Sequence, residues 1–162
     1  MRKAQDPAHI DRLLADEPYR ALKLSSAAAF RRQGSSLVRK EDGKGWEGCA
    51  TRKLDLEQPM LAPLTTGQPF GLEERNDDGV KFPAGLKRPI LAVPAADPVR
   101  CFALSLYGPH AVGTDLDSNE RMMLSRLAHL AAAMYAELEA VELRQRITLL
   151  ERKLKAPSQR VR

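Results

Sequence analysis

The chain has 162 residues, the length of one domain, and 43% of them are hydrophobic and 29% charged, so it can build a core of its own. It has no run of about 18 apolar residues that could span a membrane. No apolar signal core follows its first six residues either. These features predict a cytoplasmic chain with no membrane-spanning segment in this sequence, and they argue against secretion.

Cys49 and Cys101 are the only cysteines in the sequence. Two thiols do not make a disulfide framework, and neither cysteine has the nearby Cys or His partner that a zinc site needs. The acidic pair Asp77 and Asp78 precedes Gly79, a combination more typical of a turn than of a metal site. The sequence therefore predicts reduced thiols and no metal.

The net charge of +5 is unevenly distributed along the chain. Basic residues are concentrated in residues 31–53 and in the stretch from Arg144 to the C-terminus. A basic tail can contact nucleic acid or anionic lipid, but no aromatic residue is interleaved with these cations to stack on a base. We therefore expect a solvated helix face with a frayed tail, and we do not expect nucleic acid as a partner.

The first elements of the chain are short. Asp6 can cap a helix from Pro7 to Ala15, and Pro18 is expected to stop it. Residues 22–30 and 35–40 have the composition of two strands, and the residues between them, which end in Gly34, indicate a turn. This segment therefore predicts a helix followed by a β-hairpin.

The middle of the chain is less regular. Residues 43–57 contain three glycines around Trp46 and predict a loop. Residues 59–66 favour a short helix that ends at a glycine, and residues 70–72 favour a short strand. Residues 73–87 are rich in Asn, Asp, Gly and Pro, which predicts an irregular loop.

The second half has clearer signals. Residues 89–95 and 100–107 are apolar, and the short connection between them predicts a buried antiparallel hairpin. Asp117 and Glu120 have the spacing of a capping box at the start of a helix. No Gly or Pro follows until Pro157, so we expect an unbroken helix from Ser118 to Ala156, about 58 Å long.

This long helix carries two apolar stripes, each with three-four spacing. Val141 in the first stripe and Leu143 in the second are about 200° apart around the helix axis. We expect the first stripe to cover a sheet and the second to pair with a second copy of the chain, although packing on a neighbouring domain of a longer protein remains open. The first stripe comprises Leu124, Leu127, Ala131, Met134, Leu138 and Val141; the predicted dimer interface comprises Ala133, Ala136, Ala140, Leu143, Ile147, Leu150 and Leu154.

The order of these elements resembles a GAF domain. The strongest match is the strand at 88–94 with its Leu91-Ala92-Val93-Pro94 motif, the strand at 100–107, the loop at 113–117 and the helix from Ser118. The resemblance covers roughly residues 20–142. It implies an α+β fold, GAF/PAS-like, with an antiparallel sheet of five or six strands, helices on one face and a long C-terminal helix.

The resemblance also implies a domain organisation and a function. Residues 1–142 would form the GAF-like domain, and residues 143–162 a coiled-coil-like extension of the last helix with a basic tail. GAF domains resembling this one occur at the cytosolic ends of bacterial membrane proteins. We therefore expect a non-enzymatic sensory, regulatory and dimerisation module of signal transduction, which is a homodimer and is either a free chain or the cytosolic part of a larger membrane protein.

An alternative function for a GAF-like chain is a small-molecule sensor with a closed pocket. The ligand and any cofactor are unknown, and the same residues could instead simply fill the core. Arg75 and Arg88 could meet an anionic ligand. The predicted pocket walls are Trp46, Leu61, Leu64, Phe70, Phe82, Ile90, Leu91 and Cys101.

Other activities of GAF domains fit this sequence less well. The N-K-x-F-D-E type motif of cyclic-nucleotide GAF domains is absent, and neither Cys49 nor Cys101 has the context of a bilin attachment site. A GAF-type methionine sulfoxide reductase needs a nucleophilic and a resolving cysteine close together. The clustered cysteines of that family are missing, so this enzyme is kept only as a remote alternative. His9, His110 and His129 are expected in loop or surface positions.

Overall fold

A six-stranded antiparallel sheet forms the centre of the structure, a computed structural model that describes residues 6–72 and 80–160, the side chains of 156–160 excepted. The strand order is β3-β2-β1-β6-β5-β4. The predicted α+β fold class is thereby confirmed. The strands are β1 (Ala27–Gln33), β2 (Ser36–Val38), β3 (Lys53–Asp55), β4 (Phe70–Gly71), β5 (Leu91–Ala96) and β6 (Cys101–Tyr107).

The first hairpin begins later than the sequence predicted. Residues 22–26 are not part of β1, and the predicted turn residues Arg31 and Arg32 continue the strand, where they pair with Val38 and Leu37 of β2. The turn lies instead at Gly34, whose φ of +63° is readily adopted only by glycine. The strand β3 was predicted as loop, because three residues with one buried side chain between two exposed ones give too short a pattern to recognise.

The first helix, α1 (Pro7–Ala21), is longer than predicted, because Pro18 lies inside it instead of stopping it. A proline has no N–H, so the carbonyl of the residue four positions earlier loses its helical partner. In this chain that carbonyl belongs to Leu14, and it accepts a hydrogen bond of 2.6 Å from the hydroxyl of Tyr107 in β6. The strand therefore supplies the donor that the proline lacks.

The last helix, α2 (Ser118–Arg160), is unbroken over 43 residues, or about 65 Å. Its predicted capping box is present: the Glu120 N–H donates to Asp117 Oδ1 at 2.8 Å, and the Asp117 N–H donates to Glu120 Oε1 at 2.9 Å. Within the described residues, no helix combines the length and the apolar character needed to cross a bilayer.

The two faces of the sheet are covered differently. On one face, α1 packs on β1 and α2 packs on β5 and β6, and many of the touching residues are alanines, such as Ala95, Ala103 and Ala131. Small side chains on both surfaces allow the helices to approach the sheet closely. On the other face, Trp46 and a 3₁₀ helix (Pro59–Thr66) cover the sheet. The predicted arrangement of layers is therefore observed.

Candidate functional site

The first half of α2 seals the helical face of the sheet. Its buried residues are not quite those of the predicted stripe: Ala128, Ala132 and Tyr135 are fully buried but were not predicted, whereas Leu127 and Leu138 are only half-buried. The alanines were missed because alanine is equally common on either face of a helix, and Tyr135 because of its polar tip. The sheet-facing stripe is therefore centred slightly away from its predicted position.

A buried polar contact fixes α2 to α1 and to β1. The Tyr135 hydroxyl donates to Asp11 Oδ1 at 2.6 Å, and Arg31 Nη2 lies 3.6 Å from Asp11 Oδ2. Burial raises the pKa of Asp11 above its ordinary value, and the hydrogen bond from Tyr135 and the charge of Arg31 partly offset that rise. Nothing in the sequence pattern indicated this contact, since its members are far apart in the chain.

The second stripe of α2 is largely uncovered. Ala133 is exposed and Ala136 and Ala140 are half-buried at the edge of the domain. Beyond them, every residue from 141 to 155 is exposed, including the four large apolar members of the stripe, Leu143, Ile147, Leu150 and Leu154. The helix therefore carries an apolar surface that the described part of the chain does not use.

A groove runs beside the upper part of this stripe. It has a volume of about 460 Å³ and separates the α2 residues His129, Ala133 and Ala136 from residues 66–68 and 96–98. The side chains of Ala133 and Ala136 on its helical wall are small. This groove is continuous with the exposed stripe through Ala136, so the apolar surface extends from the domain onto the helix.

The face of the sheet opposite the helices brings most of the predicted pocket residues together. Trp46, Leu61, Leu64, Phe70 and Phe82 belong to one apolar cluster there. The Trp46 ring makes edge contacts with Phe30 and Phe82 at centroid distances of 5.6 and 5.9 Å. These contacts show that the aromatic side chains pack against one another.

Two of the predicted pocket residues lie on the other face. Leu91 packs on the helical side, because side chains alternate along β5 and the next residue, Ala92, belongs to the cluster of Trp46. Ile90, which precedes β5, is partly buried against the helical-side cluster as well. Arg88 lies with its guanidinium 5.6 Å from the centroid of Phe82. Arg75, the other predicted contact for an anionic ligand, lies outside the described residues.

Arg39 organises the loop that carries Trp46. The side chain is buried, and its guanidinium donates to the carbonyl oxygens of Asp42, Cys49 and Thr51 and lies 5.1 Å from the centroid of Trp46. Burial lowers the pKa of Arg39 below its ordinary value. The sequence gave no signal for this role, because Arg39 stands in a run of basic residues.

A polar atom of this cluster has no partner in the described part of the chain. Trp46 is 1% exposed, and no described residue accepts a hydrogen bond from its Nε1–H.

A cleft of about 520 Å³ lies between the 3₁₀ helix and the β5–β6 turn, where Leu61, Leu64 and Cys101 contribute to its wall. The predicted pocket residues on this side therefore belong to the apolar cluster around Trp46 or to the wall of the cleft; Leu61 and Leu64 belong to both, and Cys101 to the cleft wall.

The two cysteines have different surroundings. Burial raises the pKa of the Cys101 thiol to about 11, so the reactive thiolate is scarce at neutral pH. The Cys49 thiol is 3.2 Å from the carbonyl oxygen of Lys81, in the cluster around Trp46. Among residues 6–72 and 80–160, no three His, Cys, Asp or Glu side chains are grouped as a metal site would require.

Comparison with solved structures identifies the fold. The GAF domain of an Acinetobacter phosphoenolpyruvate-protein phosphotransferase matches with a TM-score of 0.68 at 13% identity, over 86% of this chain and 87% of that chain. The second GAF domain of DevS from Mycobacterium smegmatis matches with a TM-score of 0.65 at 17% identity, over 86% and 99%. The chain has the GAF fold. No family model and no curated protein matches its sequence.

The GAF fold is shared by proteins of different kinds. A methyl-accepting chemotaxis protein matches with a TM-score of 0.66 at 13% identity, over 84% of this chain and 92% of that chain. A type II free methionine-R-sulfoxide reductase from Thermoplasma acidophilum matches with a TM-score of 0.56 at 11% identity, over 79% and 96%. The fold alone therefore does not choose between a signalling module and an enzyme.

Proposed function

We propose that this GAF-fold chain is a non-enzymatic sensory and regulatory module of signal transduction that forms a homodimer through the second half of α2. The proposal includes a cytoplasmic location, with residues 1–142 as the GAF domain and 143–162 as its helical extension. One observation carries it: an apolar stripe continues along α2 after the helix has left its own sheet. The similarity to a methyl-accepting chemotaxis protein supports the signalling part of the proposal.

The exposed stripe has the residue pattern of a two-stranded coiled coil. Leu143, Ile147, Leu150 and Leu154 alternate in steps of four and three, which places Leu143 and Leu150 at d positions and Ile147 and Leu154 at a positions. In a parallel coiled coil, a β-branched residue at a with leucine at d favours two strands, and Ile147 fits this rule whereas Leu154 does not. Ala133, Ala136 and Ala140 extend the same pattern toward the domain, where their small side chains allow a close approach of two helices.

The charges beside the stripe favour a parallel, in-register pair. In such a pair, a g residue of one helix faces the e residue five positions later in the other helix. Arg146 would then face Glu151 of the second copy, and Glu139 would face Arg144. Both pairs have opposite charges, although Glu139 also pairs with Arg100 of its own chain. The clean test of orientation is therefore the pair Arg146 and Glu151.

Sedimentation equilibrium of the full chain tests the dimer. We expect twice the mass of one chain at micromolar concentration. The variant Leu150→Lys should weaken the dimer by at least about 30-fold, because it places two ammonium groups in the apolar seam. Leu149→Lys is the matched control: Leu149 and Leu150 are 53% and 58% exposed, but Leu149 lies outside the stripe.

Two results would contradict the dimer proposal. One is a wild-type protein that remains a monomer at micromolar concentration. The other is an equal loss of association in the two lysine variants, since the seam would then not run through Leu150. Far-ultraviolet circular dichroism of both variants checks that the GAF domain itself remains folded.

A second candidate function, a small-molecule sensor, is favoured by the buried Nε1–H of Trp46, for which the described residues offer no acceptor. A buried donor without an acceptor costs about 1–3 kcal/mol, and a ligand with an acceptor atom would remove that cost. A thermal-shift screen of nucleotides and metabolites tests this candidate, because a ligand that binds only the folded state raises the Tm. The variant Trp46→Phe should abolish any shift that depends on the indole N–H.

Catalysis by the cysteines is not part of the proposal. A sulfoxide reductase needs an accessible thiolate as nucleophile, whereas burial raises the pKa of Cys101 to about 11. Cys49 lies in the apolar cluster around Trp46, whereas Cys101 lies in the wall of the cleft beside the β5–β6 turn. An assay of free methionine sulfoxide reduction with the wild type and with Cys49→Ser tests this directly, and turnover that depends on Cys49 would contradict a purely regulatory role.

A further inference from the structure

His110 lies in the loop between β6 and α2, and its ring bridges the two helices. Its Nδ1 is 2.7 Å from the carbonyl oxygen of Leu22, the residue that caps the C-terminus of α1. Its Nε2 is 2.9 Å from Glu120 Oε1 in the first turn of α2. The side chain is only 18% exposed, so water does not readily replace either contact.

Both partners of the ring can only accept hydrogen bonds. A carbonyl oxygen and a carboxylate oxygen have no proton to offer, and a neutral imidazole has a single N–H and one lone pair. A neutral ring would therefore leave one lone pair facing an acceptor at hydrogen-bond distance, which is repulsive. Only the imidazolium, with an N–H on each nitrogen, satisfies both Leu22 and Glu120.

We propose that His110 is a pH-sensitive clamp that joins the end of α1 to the first turn of α2 while its ring is protonated, and that it releases one of the two contacts when the ring becomes neutral. The capping box survives the release, because Glu120 Oε1 also accepts the N–H of Asp117. What opens is the connection between the two helices at this end of the domain.

The charges around the ring favour its protonated form. The negative charges of Glu120, in the first turn of α2, and of Asp117, just before it, act on the ring. The carbonyl of Leu22 belongs to the negative end of the α1 dipole. The hydrogen bond to Glu120 is the main cause that raises the pKa of His110 above 6.5, burial lowers it, and the bond to Leu22 raises it. The cations next to the ring's two partners in the sequence are Lys23, which follows Leu22, and Arg121, which follows Glu120. Arg121 is paired with Asp115 at 3.2 Å.

The direction of the pH effect follows from this shift. A group whose pKa is raised by folding stabilises the folded state fully below its unfolded value of about 6.5, and the stabilisation is lost as the pH rises through the folded pKa. The clamp is therefore closed in mildly acidic solution and opens as the pH rises through the folded pKa. Its release detaches the end of α1 from the start of α2 at this point, whereas the contact between Tyr135 and Asp11 holds the two helices together further along.

Nitrogen NMR of the histidine rings in the full chain tests the protonation state. We expect His110 to show two N–H groups at pH 6 and a titration midpoint above 6.5. The variant Glu120→Gln keeps an oxygen acceptor but removes the negative charge, and it should lower that midpoint. A single N–H at pH 6, a midpoint at or below 6.5, or a midpoint unchanged by Glu120→Gln would overturn the proposal.

Amide hydrogen exchange tests the mechanical consequence. After correction for the intrinsic exchange rate, the protection of the Ser25 and Ala111 amides, which join the His110 loop to the segment after α1, should fall by at least about threefold between pH 6 and pH 9. His110→Gln should remove this pH dependence, and the control His129→Gln should keep it, because the His129 ring is hydrogen-bonded to the Ser125 carbonyl of its own helix and does not bridge α1 and α2. An unchanged pH dependence in His110→Gln would overturn the clamp, and the titration of the wild type decides the question if that variant does not fold.

Discussion

The two halves of α2 both carry apolar residues at helical spacing, but their surroundings differ. Residues 118–140 lie against the sheet, with Leu124, Ala131 and Tyr135 buried. Residues 141–155 leave the sheet and are exposed throughout, although they still carry leucine and isoleucine at regular spacing. An isolated helix of that length is only marginally stable in water. The difference shows that the first half is stabilised by its own domain, and the apolar residues of the second half are those that we propose to pair with a second copy.

The largest expected difference comes from a leucine-to-alanine substitution made once in each half of α2. Leu124→Ala should lower the free energy of unfolding by about 2–5 kcal/mol, because it leaves a cavity between helix and sheet. Leu154→Ala should change it by less than about 0.5 kcal/mol, because Leu154 is 77% exposed. Urea denaturation of both variants in a Leu150→Lys background measures these effects without a contribution from dimerisation. Equal losses in the two variants would remove the distinction between the halves.

A smaller effect is expected where α2 is fixed to α1. Tyr135→Phe should cost about 1–3 kcal/mol, because it removes a donor from the buried carboxyl of Asp11. The loss also depends on pH: the pKa of Asp11 is already raised by burial, and removal of the hydroxyl raises it further. The folded state then holds a proton that the unfolded state has released, so the free energy of unfolding falls as the pH rises through the folded pKa.

Urea denaturation at pH 4 and pH 7 measures this dependence. The decline toward pH 7 should be steeper in Tyr135→Phe than in the wild type. The double variant Asp11→Asn/Tyr135→Phe is the control, because it has no carboxyl to titrate at this position and should lose the additional decline. If the single and double variants decline equally, Asp11 is not the group responsible.

The smallest expected effect concerns the orientation of the proposed pair. Arg146→Glu should weaken the dimer by about 1 kcal/mol, or roughly fivefold, because it places like charges opposite each other on both sides of the seam. The double variant Arg146→Glu/Glu151→Arg should restore the affinity in a parallel pair. Sedimentation equilibrium at low salt measures both, and a double variant no tighter than the single one would argue against the parallel register.

Much of the fold could be predicted from the sequence, because its signals are local. The capping box at Asp117 and the absence of Gly and Pro up to Pro157 predicted the unbroken helix α2. The apolar segments at 89–95 and 100–107 predicted the central hairpin. The end of α1 was predicted wrongly, because the hydroxyl that compensates Pro18 comes from Tyr107, and such a distant partner leaves no local pattern.

The candidate site could be predicted less completely. Long-range polar contacts, such as those of Tyr135 with Asp11 and of Arg39 with its loop, depend on the folded chain. The predicted pocket mixed the two faces of the sheet, because the parity of β5 could not be read from an apolar run: Leu91 faces the helices and Ala92 faces Trp46. The exposed stripe was visible in the sequence because helical spacing is a local property.

Amide hydrogen exchange along α2, measured at several protein concentrations, tests the central claim most directly. The account predicts that residues 118–140 are protected at every concentration, whereas residues 141–155 are protected only where the chain is dimeric and exchange freely after dilution or in Leu150→Lys. Protection of residues 141–155 that is independent of concentration and unaffected by Leu150→Lys would contradict the account, as would free exchange of these residues at the highest concentration.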